Sequence, residues 1–194
     1  MKKSILAAAL GVAFSTGAFA QAGAGTIQRD VNQQQRIEQG LQSGQLNTRE
    51  TARLESEEAK VQRDQARAMR DGNLSPAEKQ RLAREQNKVS RDIARERHDA
   101  QTGNPNSASS QRMQADVQRN INQQQRIEQG VQSGSLTTRE AGKLEAGQAQ
   151  VSKREARAGA DGNVSAKEQQ RVQSAENRQS KRIYRQKHDA QTNG

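Results

Sequence analysis

One unit occurs twice in this chain, and that repeat limits the folds open to it. Residues 31–104 and 121–194 align without a gap at an offset of 90 and agree at 39 of 74 positions. The stretches NQQQRIEQG and HDAQT occur unchanged in both copies. A repeat of this kind is typical of a duplicated supersecondary unit. We therefore expect the first copy at residues 21–101, a linker at 102–110 and the second copy at 111–194.

Turn signals divide each copy into three helices. The Asp-Gly-Asn at 71–73 should end one helix, because Gly and Asn tolerate the left-handed conformation found at many helix C-termini. Ser75 and Glu78 have the spacing of a capping box, and Pro76 suits the first position of the next helix. Similar signals lie at 44–50, 134–140 and 161–168. For the first copy these signals predict helices at about 27–40, 48–70 and 76–100.

Apolar residues recur at helical spacing, but their stripes are narrow. The second predicted helix carries Leu54, Val61 and Ala68 seven residues apart. The third carries one stripe made of Leu82, Val89, Ile93 and Ala100. Little apolar area is then available to offset a backbone entropy of about 1–2 kcal/mol per residue. The chain is predicted to be all-α: two tandem copies of a helical-hairpin or three-helix unit, partly flexible, with a thin core and seams that make self-association plausible.

The first 20 residues have the pattern of a secretory signal peptide. Lys2 and Lys3 precede an apolar stretch at 5–14, and Ala18-Phe19-Ala20 is a small-x-small cleavage site. The apolar stretch is too short to span a bilayer. We therefore expect a periplasmic or secreted protein with no transmembrane segment after signal cleavage.

The four turns share the pattern Gly, one residue, an aliphatic residue, then Glu four positions further on. This resembles the second half of an EF-hand loop, whose twelfth position carries a bidentate Glu. The first ligand position, however, holds Gln39, Arg67, Gln129 or Arg157, so capping without a metal is the favoured interpretation. The alternative is an EF-hand-like site for calcium, another divalent cation or a lanthanide. Its candidate ligands are Asp71, Ser75, Glu78, Asp161, Ser165 and Glu168.

A basic ridge runs along the third helix of each copy, opposite the apolar stripe. In the first copy it consists of Arg81, Arg84, Lys88, Arg91 and Arg95. In the second it consists of Arg171, Arg178, Lys181, Arg182 and Arg185. Such a ridge suits a polyanion, for example lipopolysaccharide, nucleic acid, polyphosphate or an acidic polysaccharide. A solvated helix face with paired charges is the other interpretation. Sequence-specific nucleic-acid binding is not expected, because Tyr184 is the sole aromatic residue after position 20.

No catalytic pattern is present in the sequence. The chain has no Cys, and it lacks a P-loop, a dinucleotide fingerprint and a Ser-His-Asp arrangement. His98 and His188 have no second His or Cys at ligand spacing, so we expect them to interact with helix C-termini instead. The sequence therefore predicts a protein that is not an enzyme. It also predicts no cofactor, unless the turns bind calcium or another divalent cation.

The segments RIEQGVQSGSLTTRE at 126–140 and RIYRQKH at 182–188 resemble a group of secreted proteobacterial proteins with tandem Gln/Arg-rich repeats. The resemblance covers nearly the whole chain after residue 20. It implies an exported helical protein with EF-hand-like turns and brings no activity. Together these observations predict an exported, non-enzymatic repeat protein with a binding or scaffold role at the cell envelope. Its expected partner is an anionic envelope component or another polyanion.

Overall fold

The computed structural model describes residues 17–189, with side chains from Gly23 onward. Most of the predicted signal peptide, residues 1–16, lies outside the described residues. The chain forms six helices: α1 (Gly17–Ser43), α2 (Thr48–Ala68), α3 (Pro76–Glu96), α4 (Ala108–Gln132), α5 (Thr138–Ala158) and α6 (Ala166–Lys187). No strand occurs within this described range. The all-α prediction of two three-helix units is confirmed. α1 begins ten residues earlier than predicted, and α3 ends at Glu96 rather than near residue 100.

The turns within each unit have the predicted capping chemistry. Gly44, Gly72, Gly134 and Gly162 have φ values of +75°, +87°, +74° and +91°, in the left-handed region that glycine adopts without strain. α2, α3, α5 and α6 each begin with a complete capping box, in which the N-cap side chain and the Glu at the third helical position bond each other's backbone N–H. These local interactions fix where four of the helices start.

Equivalent helices of the two units pack on each other, so the units share their core. α1 packs on α4, and α2 packs antiparallel on α5. One apolar cluster joins Ile27, Met69 and Leu74 of the first unit to Ile127 and Leu144 of the second. A second cluster also draws on both units, whereas a third lies within the first unit alone. The predicted stripe residues of α2 and α3 are buried, but Ala100 is exposed beyond the end of α3.

A glycine in α5, Gly142, and the glycine that caps its C-terminus, Gly159, permit the close approach of α2. A Cβ on Gly142 would lie 2.8 Å from the Cβ of Met69, and one on Gly159 would lie 2.9 Å from the Cβ of Ala52. The two glycines sit near opposite ends of α5, so they allow the antiparallel pair to close along its length. The backbone entropy that glycine costs in a helix is thereby offset by tighter packing.

The predicted linker is held against the first unit. The N–H of Gly103 donates a 2.8 Å hydrogen bond to the carbonyl of Gly44, and α4 already begins at Ala108. No helix in the described part of the chain is long and apolar enough to cross a membrane.

Candidate functional site

The outer faces of α2 and α5 form a strongly cationic surface. Exposed or half-exposed positions recur along both helices with alternating steps of three and four residues. On α2 and just beyond it they are Arg49, Arg53, Ser56, Lys60, Arg63, Arg67 and Arg70. On α5 and just beyond it they are Arg139, Lys143, Ala146, Gln150, Lys153, Arg157 and Ala160. Ten of these fourteen residues are Arg or Lys and none is acidic. We call this surface the cationic face.

Two grooves of about 490 Å³ each lie along the cationic face, between α2 and α5. Groove A is lined by Arg63, Arg67, Arg70, Arg139 and Lys143 over a floor of Ala66, Gly142 and Ala146. Groove B is lined by Arg49, Arg53, Lys153 and Arg157 over a floor of Ala52, Ser56, Ala156 and Ala160. The eight positions of one groove match those of the other at the offset of 90. The duplication and the antiparallel α2–α5 pairing therefore build the same groove twice.

Most cations of the two grooves are not neutralised by a carboxylate. Arg67 pairs with Asp64 at 3.1 Å, and Arg53 pairs with Glu96 at 3.5 Å. Arg49 instead donates a 2.7 Å hydrogen bond to the carbonyl of Asp161. The other groove cations make no ion pair with any described residue. An unbalanced patch with small residues between the charges leaves room for an anionic ligand to reach several cations at once.

The predicted ridge on α3 is exposed but partly neutralised. Its five members all lie on the surface. Lys88 lies 3.0 Å from Glu57 of α2 and 2.6 Å from Asp92. Arg95 pairs with Asp92 at 2.7 Å and with Glu96 at 3.2 Å. These contacts agree with the solvated-face interpretation for two of the five cations, and Arg81, Arg84 and Arg91 lack an ion pair within the described range.

The predicted ridge on α6 is exposed along its length and is joined to groove B. Arg171 shares a small groove with Arg154, Arg157 and the acid Glu168, and Arg157 also lines groove B. Lys181 and Arg185 line a groove of about 650 Å³ with Arg126 and Tyr184. None of the five ridge cations forms an ion pair within residues 17–189. The cationic surface of the α2–α5 pair therefore continues onto α6.

The residues proposed as turn cation ligands are engaged in turn and capping hydrogen bonds. Asp71 and Asp161 each accept the N–H two residues on, at 2.9 Å. Glu78 accepts from the N–H and hydroxyl of Ser75 at 2.9 and 2.6 Å. Glu168 accepts from the same groups of Ser165 at 3.0 and 2.7 Å, and these bonds lower its pKa. The observed geometry is that of helix caps.

One further set of acidic residues has the spacing of a possible cation site. Among the described residues, Glu50, Glu96 and Asp99 have carboxylate oxygens within 4.8 Å of one another. Glu96 is already paired with Arg53 and Arg95, and Asp99 accepts the N–H of Gln101 at 2.8 Å.

The two histidines lie at helix C-termini, as the sequence predicts. His98 Nδ1 is 2.7 Å from the carbonyl of Ala94, and His188 Nδ1 is 2.7 Å from that of Tyr184. The ring of His188 also stacks on Tyr184, with centroids 4.2 Å apart. The predicted role at helix ends is confirmed for both.

A set of buried carboxyl groups was not predicted from the sequence. Seven acids are at most 1% exposed: Asp30, Glu55, Glu58, Asp116, Glu145, Glu155 and Glu176. Within the described range, Glu176 is the one of the seven with an ion pair, to Arg119 at 3.1 Å. Burial raises the pKa of Asp30 and Glu55 to about 7 and that of Glu176 to about 8. The signal that could have revealed them is the spacing of Glu55, Glu58, Gln62 and Gln65, which follows one face of α2.

Comparison with family models, with curated proteins and with solved structures gave no match. The resemblance to secreted tandem-repeat proteins therefore stays a prediction.

Proposed function

We propose that this protein is an exported, non-enzymatic binding protein of the cell envelope, whose cationic face on α2 and α5 holds polyanions. The observation that carries the proposal is the pair of matched grooves, in which most cations have no carboxylate partner among the described residues. A solvated helix face would intersperse acids with the Arg and Lys residues. The stripes that make up the cationic face contain no acid.

The chemistry of the grooves favours a polymer or surface that carries many phosphate, sulfate or carboxylate groups. Arg predominates over Lys in both grooves, and its guanidinium can bind such groups through two parallel hydrogen bonds. Two equivalent grooves on one face suit a ligand whose anionic groups repeat. Among the described residues, Tyr184 is the one large hydrophobic side chain that is exposed, at 58%. It belongs to α6 and lines neither groove. Base stacking therefore does not contribute at the grooves, and we expect binding without sequence preference.

Export rests on the N-terminal pattern of basic, apolar and small residues at 1–20. Anionic groups are abundant at a bacterial envelope, where lipopolysaccharide phosphates and acidic polysaccharides supply them. The location and the surface chemistry thus support the same role.

A salt series on immobilised heparin tests the proposal. The groove variant R63Q/R70Q/K143Q removes three cations that have no ion pair in the described structure. The matched control R81Q/R84Q/R91Q removes three exposed cations from α3 that also lack an ion pair among the described residues, and it changes the net charge by the same amount. We expect the groove variant to elute at clearly lower salt than the control. We also expect its slope of log affinity against log salt to fall by up to about one for each ligand-binding cation that is removed.

Equal losses in both variants would mean that only net charge matters, and the assignment to the grooves would then be wrong. Elution of the unaltered protein at low salt would reject polyanion binding altogether.

A further inference from the structure

Another groove lies on the second unit and is lined by residues of α4 and α6. Its volume is about 650 Å³, and we call it groove C. Five of its lining residues belong to α6, at alternating steps of three and one, which places them on one face of that helix. The lining residues are Arg126, Asn177, Ser180, Lys181, Tyr184 and Arg185. Groove C therefore brings three cations together with an aromatic ring.

The neutral polar side chains of groove C have acceptors that are already engaged within the protein. Arg126 donates a hydrogen bond to the hydroxyl oxygen of Ser180 at 2.7 Å. Arg119 donates to the amide oxygen of Asn177 at 2.6 Å. The hydroxyl hydrogen of Ser180 and the amide nitrogen of Asn177 can then donate to a ligand. Groove C thus offers donors and positive charge, which is the complement of an anion.

The cations of groove C are not neutralised, in contrast to the equivalent position of the first unit. Arg95, which stands in the place of Arg185, pairs with Asp92 at 2.7 Å and with Glu96 at 3.2 Å. The second unit has Arg and Gln at the positions of these two acids. Within the described residues, none of the three groove C cations forms an ion pair. The second copy has therefore exchanged a neutralised position for a cationic one.

Tyr184 supplies a ring that the first unit lacks, because Ala94 occupies the equivalent position. The residue is 58% exposed. The ring of His188 stacks on it, with centroids 4.2 Å apart and an angle of 23° between the planes. The histidine covers one face of the phenol and holds the ring in place, so little conformational entropy is lost when a ligand stacks on the other face. Groove C therefore combines a stacking platform with an anion site.

We propose that groove C binds a nucleotide, a small anion that carries a planar ring. The phosphate lies among Arg126, Lys181 and Arg185, and both guanidinium groups can donate two parallel hydrogen bonds to its oxygens. The base stacks on Tyr184. One aromatic ring offers a platform for one base, so a mononucleotide matches the groove better than a strand does. The proposal does not rest on grooves A and B, because groove C shares no lining residue with them.

Titration of the full chain with adenosine monophosphate, followed on Tyr184 by nuclear magnetic resonance, tests the proposal. Tyr184 is the one tyrosine of the sequence, so selective labelling of tyrosine places a single reporter in groove C. We expect the stacked base to move the signals of the tyrosine ring upfield. Ribose 5-phosphate carries a phosphate without a planar ring. It should bind at least about fivefold more weakly and cause no upfield shift.

Calorimetry on variants separates groove C from the rest of the cationic surface. Y184A reproduces Ala94 of the first unit at an exposed helical position, so it should stay folded, and its affinity for adenosine monophosphate should fall at least about fivefold. R185Q should lower the affinity about tenfold. R95Q makes the same change at the equivalent position of the first unit and should leave the affinity unchanged. The groove A variant R63Q/R70Q/K143Q should also bind adenosine monophosphate unchanged.

Four results would overturn the proposal: no binding of adenosine monophosphate by the unaltered protein, equal affinity for ribose 5-phosphate, unchanged affinity in Y184A, or equal losses in R185Q and R95Q. Loss of nucleotide binding in the groove A variant would assign the nucleotide to the cationic face and would also overturn it. Equal elution of the groove A variant and its control from heparin, with nucleotide binding intact, would instead reject the proposed function and leave groove C standing.

Discussion

The side-chain amide of Gln65 donates a 2.6 Å hydrogen bond to the carboxylate of Asp30, and the second unit makes the same contact with the roles exchanged. There Asn120 donates to Glu155 at 3.1 Å. In the first unit the acid lies on α1 and the amide on α2. In the second unit the amide lies on α4, the equivalent of α1, and the acid on α5, the equivalent of α2. The exchange keeps one acid and one amide at each site. A buried acid needs a donor, and either helix of the pair can supply it.

Replacing Glu58 by Gln should stabilise the protein. The variant removes a buried carboxyl group that makes no hydrogen bond and supplies an amide donor, as Gln148 does in the second unit. We expect the free energy of unfolding to rise by about 1–3 kcal/mol. Urea unfolding of both proteins at pH 7 measures this change in unfolding free energy. A loss of stability would show that Glu58 already has a partner in solution.

The stability of the protein should fall as the pH rises from 5 to 8. Asp30 and Glu55 have folded-state pKa values of about 7 and Glu176 one of about 8, all raised mainly by burial from values near 4. Between pH 4 and pH 7–8, the folded chain therefore binds more protons than the unfolded chain. The stabilisation is therefore complete below pH 4 and is lost through pH 7–8. Each such group contributes a slope of up to about 1.4 kcal/mol per pH unit.

Urea unfolding at pH 5, 6, 7 and 8 measures this slope, and D30N should make it shallower. A stability that stays flat or rises over this range would contradict the raised pKa values of Asp30, Glu55 and Glu176.

Substituting Gly142 by Ala should destabilise the pairing of the two units. The added Cβ would lie 2.8 Å from the Cβ of Met69 and 3.4 Å from the carbonyl oxygen of Ala66, so the α2–α5 pair would have to separate. We expect a cost of about 1–3 kcal/mol, as is usual for overpacking. Gly25 provides the matched control because nothing lies within 4 Å of a Cβ added there. G25A should be neutral or stabilising by up to about 1 kcal/mol. Thermal unfolding of both variants measures the effect. A lower melting temperature for G142A alone would show that packing outweighs the higher helix propensity of Ala, whereas equal behaviour of the two variants would contradict the prediction.

Replacing Ser165 by Ala should remove the N-cap of α6. The hydroxyl of Ser165 accepts from the N–H of Glu168 at 3.3 Å and donates to its carboxylate at 2.7 Å. The expected loss is about 0.5–2 kcal/mol of unfolding free energy. Ser174, exposed in the middle of α6, bonds only to the carbonyl of Gln170, and S174A should change stability little. Similar effects of the two substitutions would mean that the capping box does not stabilise the helix.

Much of the fold could be predicted from local patterns. The turn at Gly72, the cap at Ser75 and the apolar stripe through Leu82 and Val89 depend on residues within a few positions of one another, so the sequence displays them directly. For the candidate site, the chemical character could be predicted from the sequence, but its location could not. The sequence pointed to a basic surface, but on α3 and α6, where the cations stand opposite an apolar stripe of the same helix. The α2–α5 grooves need residues about 70–110 positions apart to meet, and no local pattern reports that pairing.

The sequence by itself determined six helices, the starting points of α2, α3, α5 and α6, and the duplication, because capping and helical periodicity act over one or two turns. Only the tertiary structure decided that the two copies would share one core, that Gly142 and Gly159 would bring α2 against α5, and that Glu58 would be buried. A Glu or Gln on a helix face is equally suited to solvent until another helix covers it. Burial is a property of the packed pair of units, and the free energy of a charged group changes far more with burial than with its neighbours in the chain.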